Sequence, residues 1–408
     1  MTRIAVITSS YPRYPGDSVA PFVKSICEHL AKLGHAVEVV APYDPAIKPF
    51  VTQTVPVHRF RYIWPASLHR MGHARSLEND TNLRSSSYLL LPFFLVASFF
   101  ALLRLTARQR SQAIYAHWVL PNGLAAACVA RVRHLPLVIS LHGSDIFIAR
   151  SKPIFRAITR WIFRNATLVT ACSKELAQWA KALGAPENTI LLPWGADPEV
   201  FTPERHHPDQ RQPLQINEDV VKIGSLGRFV HKKGFPYLIK AISSIIEEHP
   251  NIRLVLGGDG ALREDLTRDV KGLGIESIVT FPGIIPWDQV PAFLANLDIF
   301  VLPSIRDPKG NVDGLPTVLL EAMSSGVAVI ASDIGGTSLV IENEQNGLLI
   351  PSGNTTALAE AITELVKDGV KRKALGIAAR RSVLNQFNWE QIARTLSVHF
   401  VALAPEQP

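Results

Sequence analysis

Short apolar runs, separated by stretches with apolar positions at three- and four-residue spacing, recur along the whole chain. Runs of that kind mark strands buried on both faces, and the longer period marks helices that cover them. In the first half the pattern predicts strands over 4–8, 37–41, 113–116, 137–141, 168–170 and 190–192. In the second half it predicts strands over 221–226, 253–256, 278–281, 299–302, 327–331 and 348–350. Strands alternating with helices point to an α/β fold with parallel sheets. Between the two sets, residues 202–219 (TPERHHPDQRQPLQINED) hold proline and charge without an apolar period, which predicts a linker. Two Rossmann-like halves facing across a cleft follow, with ligands at the C-terminal ends of their strands.

One segment departs from this alternation. Residues 85–103 (SSSYLLLPFFLVASFFALL) carry no charge over 19 residues, contain Pro92, and run toward Arg104, Arg108 and Arg110. Three readings stand: a buried helix of the first domain, a helix lying among lipid headgroups, and a membrane span. Strands of one domain on both sides of the segment speak against a span. The basic tail favours contact with an anionic leaflet.

Length and composition narrow the picture. A chain of 408 residues exceeds one hydrophobic core, and 47% hydrophobic residues exclude disorder. Cys27, Cys128 and Cys172 are widely spaced with no Cys-x-x-Cys, so neither a disulfide framework nor a thiolate metal site is expected, and a reducing cytoplasm fits. The opening MTRIAVITSS reads as a strand, so no signal peptide is expected. Residues 1–204 hold 22 Lys and Arg against 12 Asp and Glu, whereas the remainder holds 20 against 23. The basic half is therefore the expected partner of anionic lipid or a phosphorylated acceptor, which predicts peripheral attachment at the inner face of the cytoplasmic membrane. No helix-turn-helix or base-stacking pattern points to nucleic acid.

The chemistry concentrates in PSIRDPKGNVDGLPTVLLEAMSSGVAVIASDIGG, residues 303–336. Asp313 and Glu321 stand eight residues apart around a predicted helix start, with Pro316 at its first position and Gly326 as its stop. Such a start offers free amides to phosphate, and Gly314 and Leu315, which supply them, form the donor-binding segment with Pro316 and Thr317. Helical side chains lean toward the N-terminus, so Glu321 reaches past the first turn and two carboxylates can grip hydroxyls beside a diphosphate. In GSLGRFVHKKG, Arg228 offers a planar fork and Lys233 a point charge, a pair suited to that diphosphate. Gly258, in GGDGAL, joins a strand to a helix and borders the nucleotide; the spacing is not G-x-G-x-x-G, so no nicotinamide cofactor is expected. In the first half, Gly16 lets backbone amides approach a phosphate, and Asp17 and Pro21 are placed to seat an acceptor. His142 in SLHGSDIF follows a strand end, with Asp145 beside it and His117 upstream in AHWVLPNG. Ser173 reads as a helix cap. No metal is expected: there is no Asp-x-Asp, and His69 and His73, at helical ligand spacing, lack a third ligand.

The segment DGLPTVLLE, with Arg228 and Lys233 ahead of it, resembles the signature of glycosyltransferase family 4, retaining enzymes of the GT-B fold. The family has two Glu with seven residues between them and Gly after the first; here the spacing, the Gly and the second Glu are kept, and Asp313 replaces the first Glu. Further departures are Asp17 after Gly16, where Gly-Gly is frequent, Trp194 in place of an Asn, and Leu339 where a Glu is usual. The resemblance implies transfer of a hexosyl unit from a nucleoside diphosphate sugar, such as a UDP-sugar or GDP-mannose, to a sugar or lipid-linked hydroxyl acceptor, with retention and without cofactor or metal. It implies that Arg228 and Lys233 neutralise the leaving diphosphate, Glu321 holds the ribose, Asp313 the donor sugar, and His142 the sugar near its 6-position. It also implies a C-terminal helix that crosses back onto the N-terminal domain. The expected layout is an acceptor domain over 1–201, a linker over 202–219, a donor domain over 220–386 and the crossing segment over 387–408. The alternatives are a GT-B epimerase or phosphorylase and a sugar-binding module without catalysis.

Overall fold

The computed structural model describes residues 1–404 apart from 18, 49–53, 74, 76–84 and 206–219. The chain forms two compact units, Met1–Leu192 with Trp389–Pro408, and Pro193–Asn388.

The first unit is a seven-stranded parallel sheet of β1 (Arg3–Ile7), β2 (Ala36–Pro42), β3 (Val57–Phe60), β4 (Ala113–His117), β5 (Leu137–Leu141), β6 (Leu168–Ala171) and β7 (Ile190–Leu191). Their order is β3-β2-β1-β4-β5-β6-β7. The second holds β8 (Val221–Leu226), β9 (Ile252–Gly257), β10 (Val279–Gly283), β11 (Ile299–Leu302), β12 (Ala328–Ser332) and β13 (Leu348–Ile350), in the order β10-β9-β8-β11-β12-β13. The central strands are buried along their whole length, as in β4, β5, β11 and β12, which is why they read as unbroken apolar runs. In each sheet the winding reverses between the first strand and the fourth. Ligands of doubly wound sheets bind at that switch point, outside the carboxyl ends of the strands. The loops after β1 and β4 in one unit, and after β8 and β11 in the other, therefore start from the expected place.

Strand β3 is absent from the sequence pattern. It lies at the sheet edge, pairs among the described residues only with β2, and buries only Phe60 of its VHRF sequence, so no apolar run marks it. His69 and His73 do not share a helix: the short helical turn ends at Leu68, both imidazoles are buried, and His73 has a left-handed backbone. The His69 ring packs edge-on against Tyr43 and Tyr62, so the helical ligand spacing is not realised.

The uncharged segment forms one helix, Ser85–Gln109, with Pro92 inside it. Leu90, Phe94, Ser98, Leu102 and Leu105 are buried. Phe94 meets Phe60 and Tyr62 edge-to-face, with centroids 5.3 and 5.5 Å away. The opposite face leaves Leu89, Phe93, Val96 and Phe100 open to solvent. The helix is thus half core element, half apolar surface.

Segment 193–201, grouped with the first domain on sequence, belongs to the second unit. Ala196 bridges to Asn388, and Phe201 O accepts from Ser324 Oγ at 2.7 Å and from Arg380 Nη1 at 3.1 Å. Of the expected linker, 206–219 lies outside the described residues. The C-terminal helix Trp389–Leu403 packs in the first unit, with Phe400 fully buried, its ring 5.5 Å from that of Tyr115, and Ser397 Oγ 2.7 Å from His35 Nε2. Replacing Phe400 by Ala should cost about 3–5 kcal/mol in urea denaturation of the intact chain. Replacing the exposed Val401 by Ala should change stability by less than about 0.5 kcal/mol.

Candidate active site

In the second unit the loop after β8 carries Gly227, Arg228 and the turn His231–Lys233, and the loop after β11 carries 303–316. Two glycines let these loops and the one after β12 interlock. Gly234 has φ +70°, and a Cβ there would stand 1.8 Å from the Pro303 carbonyl oxygen. Gly335 has φ +66°, and a Cβ there would stand 2.2 Å from the Asp313 carbonyl oxygen. Backbone bonds close the contacts: Ile305 N donates to Lys232 O at 2.9 Å, and Gly336 N donates to Gly314 O at 2.5 Å.

This interlock sets Asp313 between two lysines. Lys232 Nζ lies 2.8 Å from Oδ1 and Lys233 Nζ 2.7 Å from Oδ2, with all three side chains at 15% exposure or less. Burial by itself would raise the Asp313 carboxyl; the two ammonium groups outweigh it and hold the group well below the usual carboxylate range. Asp313 is therefore a fixed negative charge within a net positive cluster. Lys232 is the member that sequence reading missed. The signal was the first Lys of HKKG, passed over in favour of the Lys233 that follows it.

The next helix begins at Thr317, one residue later than expected, because Pro316 has extended backbone (ψ 124°) and acts as its cap. The helix ends before Gly326, whose φ of +73° suits the left-handed stop. Glu321 stands one turn in, hydrogen-bonded by the Thr317 side chain. Desolvation pushes its carboxyl up to about 7, against the lowering effect of that bond. Arg228 is exposed on the bend after β8. Gly258 is required by packing: a Cβ would lie 1.9 Å from the Gly227 carbonyl oxygen, so the loops after β8 and β9 touch through it. Leu339, where the resembling family has Glu, is a half-buried member of the turn Thr337–Leu339 and brings no charge.

In the first unit the candidates gather at the ends of β1, β4 and β5. The His142 ring stacks on Trp118 with centroids 4.1 Å apart and an 18° tilt, and Phe22 lies 5.3 Å from it. Pro21 opens the helix Pro21–Lys32 that supplies Phe22. His117 Nδ1 is 3.2 Å from His142 Nε2. Burial pushes His117 down to about 3; burial, and then the neighbouring His117, hold His142 well below its usual value, so both imidazoles are neutral. Sequence reading missed Trp118 and Phe22.

Two predicted acceptor residues have internal duties. Asp145 accepts from the backbone N–H groups of Val119 (2.8 Å), His142 (3.1 Å) and Gly143 (3.0 Å), tying the loops after β4 and β5 together. Asp17 accepts from Arg13 Nε at 2.7 Å and Nη2 at 3.1 Å, and from the backbone of Arg13 and Val19. Both carboxylates order loops. Gly16, beside Asp17, has φ +80° and open space where a side chain would be.

The chain is similar to proteins of known class. Residues 207–382 match the family described as Glycosyl transferases group 1, and residues 18–195 match a Glycosyl transferase 4-like domain. The chain is 30% identical to the putative teichuronic acid biosynthesis glycosyltransferase TuaC of Bacillus subtilis, over 97% of each. It is 29% identical to the GDP-mannose-dependent alpha-(1-6)-phosphatidylinositol monomannoside mannosyltransferase of Mycobacterium tuberculosis, over 72% of this chain and 77% of that one. Among solved structures, the sucrose-phosphate synthase of Thermosynechococcus elongatus has a TM-score of 0.74 at 22% identity, covering 99% of both chains. HepE of Anabaena, solved with UDP and glucose, has a TM-score of 0.74 at 20% identity, covering 98% of this chain and 100% of that one. With its two parallel sheets, the chain has the GT-B fold. It belongs to the group 1 glycosyltransferases, glycosyltransferase family 4.

Proposed function

We propose that this glycosyltransferase moves a hexosyl unit, with retention, from a nucleoside diphosphate sugar to a hydroxyl of a lipid-linked acceptor in polysaccharide or glycolipid assembly. It works in the cytoplasm, peripherally at the inner face of the membrane. The observation that carries the reading is the Lys232–Asp313–Lys233 cluster beside the β8/β11 switch point. An ammonium has three donors, so Lys233 can keep Asp313 and still reach a phosphate oxygen. Arg228 adds the bidentate fork. Together they stabilise the charge that grows on the leaving diphosphate, with no metal required for that role. Asp313 receives donor sugar hydroxyls, Glu321 the ribose, and the amides of Gly314 and Leu315 a phosphate. The neutral His142, stacked on Trp118, offers a hydrogen bond to the sugar without adding charge. Gly16 offers a backbone amide to a donor phosphate, and Pro21 and His117 border the acceptor side. UDP in the HepE structure, and the GDP-mannose and phosphatidylinositol named for the mycobacterial relative, support a nucleotide-sugar donor and a lipid acceptor.

Screening UDP-, GDP- and other nucleoside diphosphate sugars by thermal shift should find one donor that raises the melting temperature. Arg228→Ala should abolish most of that rise; a shift that survives the substitution places the diphosphate elsewhere. Product analysis without acceptor should return unaltered donor, whereas an epimerase would change it. A second measurement concerns Glu321. Its carboxyl is protonated below about pH 7, and a ribose clasp needs the ionised form, so donor affinity should fall about tenfold per pH unit below about pH 7. In Glu321→Gln the affinity should be lower and flat over the same range, because His117 and His142 are already neutral there. Isothermal titration at several pH values checks this; an unchanged slope in the variant removes Glu321 from the donor site.

A further inference from the structure

Strand β3 and the helix Ser85–Gln109 enclose an open-mouthed cavity of about 450 Å³ in the first unit. Its lining includes His58, Arg59, Arg61, Arg104 and Arg108, with Phe100 on its apolar side. Among the described residues a single carboxylate, Glu38, pairs with these groups: it lies 2.6 Å from His58 Nε2 and 2.6 Å from Arg108 Nη2. Arg59 donates to the Pro12 carbonyl at 2.6 Å, and Arg61 lies over the Tyr43 ring at 4.4 Å. The cavity is thus strongly cationic, with planar forks of the kind that bind phosphate oxygens two at a time.

Phe100 also ends the exposed apolar stripe of the same helix. Leu89 is 77% exposed, Phe93 57%, Val96 57% and Phe100 49%. From position 89 to position 100 the stripe runs roughly 17 Å along the helix. At its other end Lys152 Nζ stands 5.3 Å over the Tyr88 ring and donates to its hydroxyl at 3.4 Å. The adjoining helix Pro153–Arg164 exposes Arg156, Arg160 and Arg164. An apolar stripe bounded by cations at both ends matches the interface of an anionic bilayer, where rings enter the acyl boundary and bases meet headgroups. A span is excluded by the packing of the opposite face into the sheet.

We propose that this face docks on an anionic phospholipid leaflet, with the stripe in the interface and one lipid phosphate seated in the arginine cavity. The inference rests on the peripheral attachment given above and supplies its partner and its site.

Flotation of the full chain with phosphatidylcholine vesicles containing roughly a third phosphatidylglycerol tests it. Wild type should float with these vesicles and stay behind with phosphatidylcholine alone. Arg61→Gln with Arg104→Gln should weaken partitioning by about fivefold per lost charge. Lys240→Gln with Lys271→Gln, an equal loss of charge from the exposed surface of the other unit, should change it less than about twofold. Leu89→Ser with Phe93→Ser should reduce it at least about tenfold, with circular dichroism unchanged. Millimolar inorganic phosphate should leave vesicle binding in place. The proposal is overturned by equal flotation with phosphatidylcholine alone, by equal losses in the two charge-deletion pairs, or by a stripe variant that floats like wild type. Self-association abolished by the stripe variant, without vesicle binding, also overturns it and assigns the stripe to a second copy of the chain. The donor-induced melting shift, read separately, should persist in every one of these variants. Its absence from wild type alongside normal flotation would defeat the donor reading and leave the docking surface standing.

Discussion

The second unit depends on one electrostatic arrangement, the carboxylate of Asp313 held between two lysine ammonium groups. None of the three charges would be tolerated there alone, since burying an unpaired ion costs several kcal/mol. Together they leave a surplus positive charge that is locked in direction by the backbone. The lock is steric. Gly234 and Gly335 bring three loops closer than any side chain would permit, so the reach of the lysines is set by main-chain contact. A site that must receive a phosphate anion and discriminate hydroxyls needs both properties, charge and fixed geometry.

The first unit solves a different problem with different means. Its candidate face is aromatic and neutral: stacked His142 and Trp118, Phe22 beside them, and His117 behind. Neutral imidazoles in apolar surroundings make directional hydrogen bonds to sugar hydroxyls without attracting stray anions. Asp145 and Asp17 keep this surface in shape by collecting backbone amides and an arginine. The second unit's candidate site is thereby the charged one, and the first unit's is neutral.

Most of the elements that were legible in the sequence are buried on both faces, as β4, β5, β11 and β12 are. Twelve strands stand where apolar runs mark them, and the glycines and proline around residues 313–326 bracket a real helix. What was illegible had mixed surroundings. Strand β3 buries one residue in four, so its period is lost among basic side chains. Pro316 fits a first helical residue or a cap equally well, and only its extended backbone decides. Asp17 and Asp145 carry the residue type of a ligand contact, but they hold backbone amides and, for Asp17, the Arg13 guanidinium, partners that composition does not reveal. Lys232 was hidden by its neighbour, because nothing in a pair of adjacent lysines says that both turn toward the same carboxylate.

The outer strands of the first sheet have a further bearing on how the protein survives in a crowded cell. β7 is two residues long, and β3 is lined with His58, Arg59 and, just past its end, Arg61. A strand edge with open amides invites pairing with a foreign strand, and brevity or clustered positive charge discourages it. The guanidinium groups at this margin therefore act as gatekeepers against edge-to-edge aggregation.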